Sequence, residues 1–588
     1  MTDTKQSRLT ATLLCVTPPD EHQEQGIRAF LQKKYGEDVA LTIQQDSSLK
    51  SGFQLHVGSE VYDWSAKGRM EQFRQQVEQL VAKNTRKDII PLLRSSIDEF
   101  RLLAKSSEVG TVKSSGDGIA VVEGLEHAAY GEILMFDNGI KGMVQDLRRN
   151  ETGCILFDNA DDISAGSKVA RTGKTAGVPV GDAFLGRVVD ALGRPIDGGD
   201  AIPADGYRPV EEPAPGIIDR QSVDTPMETG LLSIDAMFPI GRGQRELIIG
   251  DRQTGKTAIA LDAMLNQKGK NVICVYVAIG QKASSVAQLV ENLRKRDAMD
   301  YCVVVSATAG EADTMQYIAP YAGCAMAEYY MHKGRDVLIV YDDLSKHAIA
   351  YRAMSLLLER APGREAYPGD VFYLHSRLLE RSAHLSDKLG GGSMTALPIV
   401  ETQAGDVSAY IPTNIISITD GQIFLESDLF FAGQRPAVNV GLSVSRVGGA
   451  AQTKATKKAT GSLRLDLAQY REMEVFTQFS SDLDDSTKEQ LHYGQGLMRI
   501  LRQKQYHPLS MHQQVIVLVC AMGHVLSKVA VKDVTDFRDA LLDHFEQEHS
   551  DLCRSLEDEK VLTDDMKQEI LRIAEEYLAA NAERFRKE

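Results

Sequence analysis

The chain has 588 residues, a hydrophobic content of 43% and a formal net charge of −16 at pH 7, which together predict about three or four globular domains. The acidic balance argues against a duplex nucleic-acid binder, because the contact surface of such a protein is basic. The seven cysteines are scattered and include no CxxC pair, which is typical of a reducing compartment and not of a disulfide framework or a zinc site.

The first 85 residues predict a small α/β module. Their pattern is a strand near residues 11–16, a helix over residues 27–35, two strands with alternating apolar residues, a short strand at residues 60–64 and a closing helix over residues 70–81. The opening segment MTDTKQSRLTATLL has no basic stretch followed by a long apolar one. We therefore expect neither a signal peptide nor a transit peptide.

The remaining chain predicts one linking helix and three domains. Helical spacing of apolar residues indicates the linking helix over residues 86–105, and short strands separated by glycines indicate a β-barrel over residues 106–170. Strands alternate with helices over residues 171–455, which is typical of a parallel-sheet domain. Residues 456–588 are rich in helix formers and predict a C-terminal helical domain. The longest apolar stretch, residues 515–522, is too short to cross a bilayer.

A complete phosphate-binding loop, G-x-x-x-x-G-K-T, lies between a predicted strand at residues 245–249 and a predicted helix at residues 258–265. The glycines let backbone N–H groups surround phosphate oxygens, and the helix directs its positive end at them. Lys256 is expected to reach the β and γ phosphates of a nucleotide, and Thr257 is expected to bind Mg²⁺. The predicted nucleotide-binding residues of the loop are Gly250, Asp251, Arg252, Gln253, Thr254, Gly255, Lys256 and Thr257.

The other half of this site is predicted at the end of an apolar strand, residues 337–341. A continuous apolar run is typical of a central parallel strand that is covered on both faces. Asp342 follows the run and is predicted to lie on the Mg²⁺ side of the site, whereas Asp343 is predicted to be a structural partner. The two halves together predict that the chain binds ATP or ADP with Mg²⁺.

Several motifs, in order along the chain, resemble the α-subunit family of the rotary F-type ATP synthase. They are GDRQTGKT at residues 250–257, AIGQK at 278–282, YDDLSK at 341–346, PGREAYPGD at 362–370, the segment at 401–426 and VSRVG at 444–448. The resemblance implies a β-barrel, a RecA-like phosphate-loop domain and a helical C-terminal domain in a multidomain α/β chain.

The same resemblance implies partners and a location. Such a chain alternates with β subunits in a ring around a rotating γ shaft, and peripheral-stalk b subunits hold the ring. The complex makes ATP from ADP and phosphate with a transmembrane ion gradient. The family implies a peripheral protein on the cytoplasmic face of the bacterial inner membrane, whose membrane contact runs only through partner subunits.

One position separates the two subunit types of the ring. The β family carries a glutamate that polarises the attacking water, and Gln281 stands at that place here; a neutral amide cannot act as a carboxylate base. The resemblance therefore implies a nucleotide-binding, regulatory and non-catalytic subunit. Arg446 matches the family's arginine finger, which acts in trans on the β site, although without the family it reads as a surface cation. Arg435, Gln503 and Gln505 match positions near the far end of the bound nucleotide.

The first 85 residues depart from an ordinary α subunit and resemble the C-terminal part of the δ subunit, the connector of the peripheral stalk. The residues that carry this resemblance are VTPP at 16–19, DSSLKSGF at 46–53 and VYDWS at 61–65. The δ family usually has paired glycines where Ser51 and Gly52 stand. A fusion of this kind makes a non-covalent junction covalent and raises the local concentration of its two parts to about the millimolar range.

Three alternatives stay open at this point. An independently catalytic ring ATPase, such as a secretion-export motor, should carry Glu in place of Gln281. A hexameric RNA helicase needs basic and aromatic RNA-binding surfaces, which the acidic chain does not indicate. The first 85 residues could also be an interaction module that is unrelated to the stalk.

Overall fold

The computed structural model describes residues 10–19, 21–35, 39–49, 51–58, 60–65, 67–68, 70, 106–137, 139–157, 163–477 and 485–585. The predicted linking helix of residues 86–105 and nearly all of the predicted closing helix of residues 70–81 lie outside these ranges. The chain divides into two compact units, Met1–Ala176 and Gly177–Glu588. The first contains the N-terminal module and the barrel, and the second contains the nucleotide-binding and helical domains.

Among its described residues, the N-terminal module is a four-stranded sheet with one helix. The elements are β1 Thr10–Cys15, α1 Glu21–Tyr35, β2 Ala40–Gln45, β3 Phe53–Val57 and β4 Glu60–Asp63. β1 pairs in parallel with β2 and antiparallel with β3, and β3 pairs antiparallel with β4. Because successive strand side chains point to opposite faces, Leu13, Leu55 and Val57 are buried together against Leu31 of the helix.

The six strands that follow form a closed barrel, as predicted. They are β5 Ser106–Gly116, β6 Ile119–Glu123, β7 Glu132–Phe136, β8 Lys141–Leu147, β9 Glu151–Leu156 and β10 Lys168–Thr175. Their order is β10-β7-β8-β9-β6-β5, and the barrel closes because β10 also pairs with β5. Val112, Val122 and Leu134 are among the inward-facing residues that fill its core.

The module and the barrel share one hydrogen-bonded sheet. β4 pairs antiparallel with the first residues of β5, with Val61 opposite Ser107 and Glu60 opposite Glu108. Further along, β5 pairs with β10 and then with β6. One strand therefore belongs both to the module's sheet and to the barrel wall.

The nucleotide-binding domain alternates strands with helices, as predicted. Its strands are β11 Gly177–Val180, β12 Val188–Val189, β13 Gly206–Pro209, β14 Leu247–Gly250, β15 Val272–Gln281, β16 Cys302–Thr308, β17 Asp336–Asp342, β18 Ser393–Glu401, β19 Gly421–Leu425 and β20 Val444–Ser445. Its helices are α2 Leu232–Met237, α3 Lys256–Leu265, α4 Ala283–Arg294, α5 Asp313–Met331, α6 Leu344–Leu357, α7 Val371–Leu379, α8 Tyr410–Ile418 and α9 Ser427–Phe431.

Eight of these strands form one sheet in the order β12-β16-β15-β17-β18-β14-β19-β20. All neighbouring pairs are parallel except β19 and β20. The central strands β15 and β17 are apolar along nearly their whole length because both of their faces are buried. β14 lies between β18 and β19, so the loops that follow these three parallel strands meet at one edge of the sheet.

The C-terminal region is helical, as predicted. Its helices are α10 Lys454–Thr460, α11 Leu463–Thr477, α12 Asp485–Ile500, α13 Met511–Met522, α14 Val534–Glu548, α15 Ser550–Glu559, α16 Asp564–Ala580 and α17 Ala582–Phe585. The most apolar of these C-terminal helices, α13, is buried from Gln514 to Ala521. Within the described residues, no helix combines the length and the apolar character that crossing a bilayer requires.

Candidate functional site

The phosphate loop connects the end of β14 with the start of α3. Gly255 precedes the helix with φ 97°, a left-handed conformation that glycine adopts without steric cost. No side chain caps this helix end, so the N–H groups of its first turn stay available to an anion. Lys256 is buried in the wall of the loop, where its Nζ donates to the carbonyl oxygens of Gly250 at 2.9 Å and Asp251 at 2.6 Å. Burial lowers the pKa of Lys256, and nearby carboxylates oppose this effect.

Asp251 holds the loop against two neighbouring segments. Its Oδ1 accepts from the Thr402 hydroxyl at 2.6 Å and from the Gly405 N–H at 2.8 Å, and its Oδ2 accepts from the Ser427 hydroxyl at 3.0 Å. Partial burial alone would raise the pKa of Asp251, but these hydrogen bonds lower it below its usual value. The loop is therefore fixed to the chain that follows β18 and to the first residue of α9.

Asp342, the last residue of β17, faces the hydroxyl of Thr257. Thr257 Oγ1 donates to Asp342 Oδ2 at 2.7 Å, and the phenol of Tyr276 donates to the same oxygen at 2.6 Å. The threonine hydroxyl at the end of the loop and the carboxylate at the end of β17 are hard oxygen donors, which Mg²⁺ prefers. The residues present therefore fit a magnesium site in which Thr257 and Asp342 would hold the ion.

Gln281 ends β15 beside this pair. Its Nε2 donates to the backbone oxygen of Asp342 at 3.2 Å and to the Tyr276 hydroxyl at 3.4 Å. The neighbouring Asp343 caps α6 by accepting from the Lys346 N–H at 2.8 Å, and burial raises the pKa of Asp343 to about 6. The structure thus gives Asp343 a structural contact and places the Gln281 amide against the backbone of Asp342.

A cavity of about 740 Å³ opens between the phosphate loop, α4 and the chain after α12. This volume is within the range of pockets that hold small-molecule cofactors. Its lining includes Arg252, Gln253, Gly255, Lys256, Thr257, Gln281, Asp342, Asp343, Lys346, Glu401, Gln505 and Tyr506. The structure therefore brings most of the predicted site residues together around one cavity.

Five predicted nucleotide-binding residues are not among those that line this cavity: Gly250, Asp251, Thr254, Arg435 and Gln503. Gln503 is buried, and its Nε2 donates to the carbonyl oxygens of Gly230 at 2.7 Å and His507 at 2.9 Å. Arg435 lies with its guanidinium 4.5 Å from the ring centroid of Phe430. Among the three residues predicted near the far end of the nucleotide, Gln505 is the one on the cavity wall.

Arg446 follows β20 and is exposed. Its backbone N–H donates to the Asp420 carbonyl at 2.8 Å, which fixes the turn while leaving the side chain at the surface. Its guanidinium makes no hydrogen bond or ion pair with any described residue. Arg446 is absent from the lining of the nucleotide cavity.

Tyr276 and Thr402 were not predicted from the sequence, yet each contacts a residue of the site. A single hydroxyl in the buried apolar strand β15 is the signal that points to Tyr276, because a buried phenol needs a hydrogen-bond partner. Thr402 directly follows β18, and the position after a parallel strand is where ligand sites form.

The loop, the buried lysine and the paired Thr257 and Asp342 define a phosphate-loop protein that binds nucleotides on a parallel sheet. Comparison with known families agrees with this class. The family model "ATP synthase alpha/beta family, nucleotide-binding domain" matches residues 230–445, and the beta-barrel and C-terminal domain models of the same family match residues 105–173 and 452–577.

Curated relatives cover most of the chain. ATP synthase subunit alpha of Clostridium botulinum is 57% identical over 483 residues, which are 82% of this chain and 96% of the relative. The subunit alpha of Clostridium kluyveri is 56% identical over 83% of this chain and 97% of the relative. That of Caldanaerobacter subterraneus subsp. tengcongensis is 56% identical over 84% of this chain and 98% of the relative. The chain belongs to the ATP synthase alpha/beta family. The resemblance to the α subunit is confirmed.

The N-terminal module matches a different family model. Residues 1–77 match the model "ATP synthase delta (OSCP) subunit". The resemblance of the first 85 residues to the δ subunit is thereby confirmed at the level of the family. One chain carries segments that are similar to two subunits.

Proposed function

We propose that this chain is the nucleotide-binding, non-catalytic α subunit of a rotary ATP synthase, which makes ATP from ADP and phosphate with a transmembrane ion gradient. The relatives that are named ATP synthase subunit alpha, similar over 82% of this chain, support the assignment. The complete phosphate cavity supports nucleotide binding.

The observation that carries the non-catalytic assignment is the Gln281 amide beside Asp342. Hydrolysis needs a group that takes a proton from the attacking water, and an amide cannot take one at neutral pH. In the related β family the residue that polarises the water stands at the position of Gln281, so we do not assign this role to Glu401, which also lines the cavity and lies 3.7 Å from Arg252. The chain therefore holds the nucleotide without turning it over.

Mg²⁺ bound at Thr257 and Asp342 would neutralise charge on the β and γ phosphates. Lys256 and the free N–H groups at the start of α3 orient the same phosphates. Tyr276 and Gln281 hold the Asp342 carboxylate and backbone in place, which sets the position of the magnesium ligand.

Arg446 acts outside its own subunit. It is exposed on an ordered turn and has no ion-pair partner among the described residues, so its charge is available to a neighbouring chain. We assign it as an arginine finger that enters the catalytic site of the β subunit and stabilises the transferring phosphoryl group. The chain thereby regulates and completes sites that it does not itself contain.

The assignment implies an assembly. The chain alternates with β subunits around the γ shaft, and its N-terminal module contacts the peripheral-stalk b subunits. It is peripheral to the cytoplasmic face of the bacterial inner membrane, which it reaches only through partner subunits. The match of residues 1–77 to the δ family supports the contact with the stalk.

The test is ATP hydrolysis by the complex of this chain with β and γ subunits after Arg446→Ala or Arg446→Lys. Loss of an arginine finger costs about 10³- to 10⁵-fold in turnover, and lysine cannot reproduce the planar fork of the guanidinium. We expect turnover to collapse in both variants while assembly and nucleotide affinity stay near normal. Arg554→Ala, which removes an exposed arginine of α15, is the matched control and should leave turnover unchanged. An assembled Arg446 variant that keeps more than about a tenth of wild-type turnover would contradict the assignment.

A further inference from the structure

The turn that carries Arg446 is attached to the edge of the sheet. Ser445 of β20 lies opposite Gly421 of β19, and the Arg446 N–H donates to the Asp420 carbonyl at 2.8 Å. Backbone contacts thus place the turn, but they leave its outer part, including the exposed Arg446 side chain, without support from the strands.

The Ser445 hydroxyl connects this turn to the interior. It donates to the Pro239 carbonyl at 2.8 Å and accepts from the Gly448 N–H at 3.2 Å and from Gln244 Nε2 at 3.2 Å. Because Gly448 lies on the far side of Arg446 from Ser445, one hydroxyl bridges both ends of the turn. Gln244 is the buried side chain that donates to this hydroxyl from the interior.

Gln244 and Glu246 form a fully buried pair beneath the turn. Gln244 Nε2 donates to Glu246 Oε2 at 2.7 Å, and Gln244 Oε1 accepts from the Gly241 N–H at 2.8 Å. Both side chains are 0% exposed. A side chain at Gly421 would meet the Glu246 carboxyl, since a Cβ there would lie 2.6 Å from its Oε2. The carboxyl is therefore packed directly against the strand residue that pairs with Ser445.

The carboxyl group of Glu246 is only partly satisfied by hydrogen bonds. Its Oε1 has no hydrogen-bond partner among the described residues. Burial raises the pKa of Glu246 well above its usual value, while the Gln244 hydrogen bond and the charge of Arg446 act in the opposite direction. A buried carboxyl oxygen without a hydrogen-bond partner is costly, so the place of Glu246 next to the turn calls for an explanation beyond packing.

Arg245 holds the other side of the same turn. Its guanidinium donates to Asp420 Oδ2 at 3.0 Å and to Oδ1 at 2.9 Å, and its N–H donates to Oδ2 at 3.0 Å. Asp420 is the residue whose carbonyl accepts from Arg446. Gln244 thus contacts the turn through Ser445, and Arg245 contacts the residue to which the Arg446 N–H is bonded.

We propose that Gln244 and Glu246 are positioning residues that set the direction in which Arg446 leaves its turn, so that the guanidinium reaches the β-subunit site in a fixed geometry. This proposal rests on the function proposed above for Arg446. A finger contributes only if its donors match the transition state, and a displacement of about 1 Å can cost about 100-fold in rate. The pair touches neither substrate nor nucleotide and acts through Ser445.

The test uses the complex with β and γ subunits, with Gln244→Leu as the main variant. Its matched control is Gln267→Leu, because Gln267 is also buried and donates to two carbonyl oxygens, of Glu228 and Ala263, each at 2.8 Å. We expect Gln244→Leu to lower kcat for ATP hydrolysis about tenfold or more without changing KM for MgATP. Trapping of MgADP with fluoroaluminate, an analogue of the transferring phosphoryl group, should weaken in parallel, and the control should change neither quantity.

The decisive measurement combines the change with Arg446→Lys. A positioning residue has nothing further to position once the finger is lost, so Gln244→Leu should cause no additional loss in that complex. If Gln244→Leu fails to assemble, Ser445→Ala replaces it, since this small change removes the hydroxyl that joins Gln244 to the turn. An equal loss in both backgrounds, or full kcat in an assembled variant, overturns the proposal. Full turnover in Arg446→Lys alone instead overturns the finger assignment, so the two failures are distinguishable.

Discussion

The side chain of Lys256 is hydrogen-bonded to the backbone of the phosphate loop. Its ammonium group is buried and donates to two backbone carbonyl oxygens, those of Gly250 and Asp251. A buried cation needs acceptors, and the oxygens of a nucleotide phosphate are stronger acceptors than neutral carbonyls because they are charged. Phosphate binding would therefore replace hydrogen bonds from Lys256 to neutral carbonyl oxygens with stronger ones to charged phosphate oxygens.

Lys256→Ala should abolish retention of MgATP by the isolated chain while the fold persists. Each hydrogen bond to a charged group contributes about 1.5 to 3 kcal/mol, so loss of the ammonium should weaken binding at least about 10- to 100-fold. Equilibrium dialysis with MgATP measures the affinity, and circular dichroism checks the fold. Lys268→Ala, at an exposed lysine just beyond α3, is the control. Unchanged affinity in Lys256→Ala, or steady hydrolysis by the wild-type chain without β subunits, would contradict the proposed function.

Motif spacing predicted Lys256, Thr257 and Asp342 because a phosphate loop and a strand-ending aspartate have fixed roles. Tyr276 escaped prediction because its partner Asp342 is 66 residues away and a tyrosine in a strand is ordinarily a packing residue. Gln244 escaped for the same reason, since the hydroxyl that it contacts lies 201 residues further along the chain. Local patterns cannot encode such distant pairs.

At the scale of the element, an ion cluster joins three helices of the C-terminal domain. His512 near the start of α13 donates through Nε2 to Glu546 of α14 at 2.7 Å, and its Nδ1 lies 2.8 Å from Glu557 of α15. Burial lowers the pKa of His512, but the two carboxylates outweigh this effect and raise it above 6.5. The hydrogen bond from His512 lowers the pKa of Glu557, with a smaller contribution from Lys270.

The signs of these shifts define a pH window. A histidine whose pKa is raised on folding contributes its full stabilisation at pH values below its unfolded pKa of 6.5. This contribution is lost as the pH rises through the pKa of the folded state. A glutamate whose pKa is lowered stabilises above its unfolded value of 4.5, and this contribution is lost as pH falls through the folded value. The cluster is therefore most stabilising between these two values. The buried thiol of Cys553, which lies close to His512 and Glu546, stays neutral there because burial raises its pKa to about 11.

His512→Gln should lower the thermal unfolding midpoint more at about pH 5.5 than at about pH 8.5. The two carboxylates are partly exposed, which limits the expected loss at the lower pH to about 1 kcal/mol. Calorimetry at both pH values measures the difference, and His507→Gln, at an exposed histidine, should leave the midpoint unchanged at either one. A pH-independent effect of His512→Gln would show that the helices are joined by packing alone.

Helical composition predicted this domain, but it could not predict the cluster. Glu546 and Glu557 lie 34 and 45 residues from His512, so their approach depends on how α13, α14 and α15 pack together. The periodicity of one helix fixes which of its faces is buried, whereas the partner of that face is a tertiary property.

At the scale of the whole molecule, the δ-like module is more than a tethered segment. β4 is hydrogen-bonded to the start of β5, so the module's sheet continues into the barrel of the same chain. The resemblance to two subunit families predicted both parts, but not this contact, because the pairing of two strands on either side of residues 71–105 leaves no local pattern.

Deletion of residues 1–85 should preserve ATP hydrolysis by the ring and weaken its attachment to the membrane sector. Barrel closure should survive because the pairs of β5 with β10 and β6 do not include β4. Co-purification of the stalk subunits and ion-gradient-driven ATP synthesis measure attachment, and ring hydrolysis in the same preparation is the internal control. A truncated complex that retains its stalk and couples normally would refute the δ-like role.

The pairing of β4 with β5 also has a consequence during synthesis of the chain. β4 ends at Asp63, and the residues of β5 that pair with it end at Glu108. The ribosome must therefore add 45 more residues before β4 has its complete partner. At about 5 to 20 residues per second, a ribosome needs about 2 to 9 s to make that stretch. Throughout this interval the nascent module presents an unpaired strand edge, which is a template for association with other chains. We therefore expect chaperones that bind during translation to shield this edge of the module.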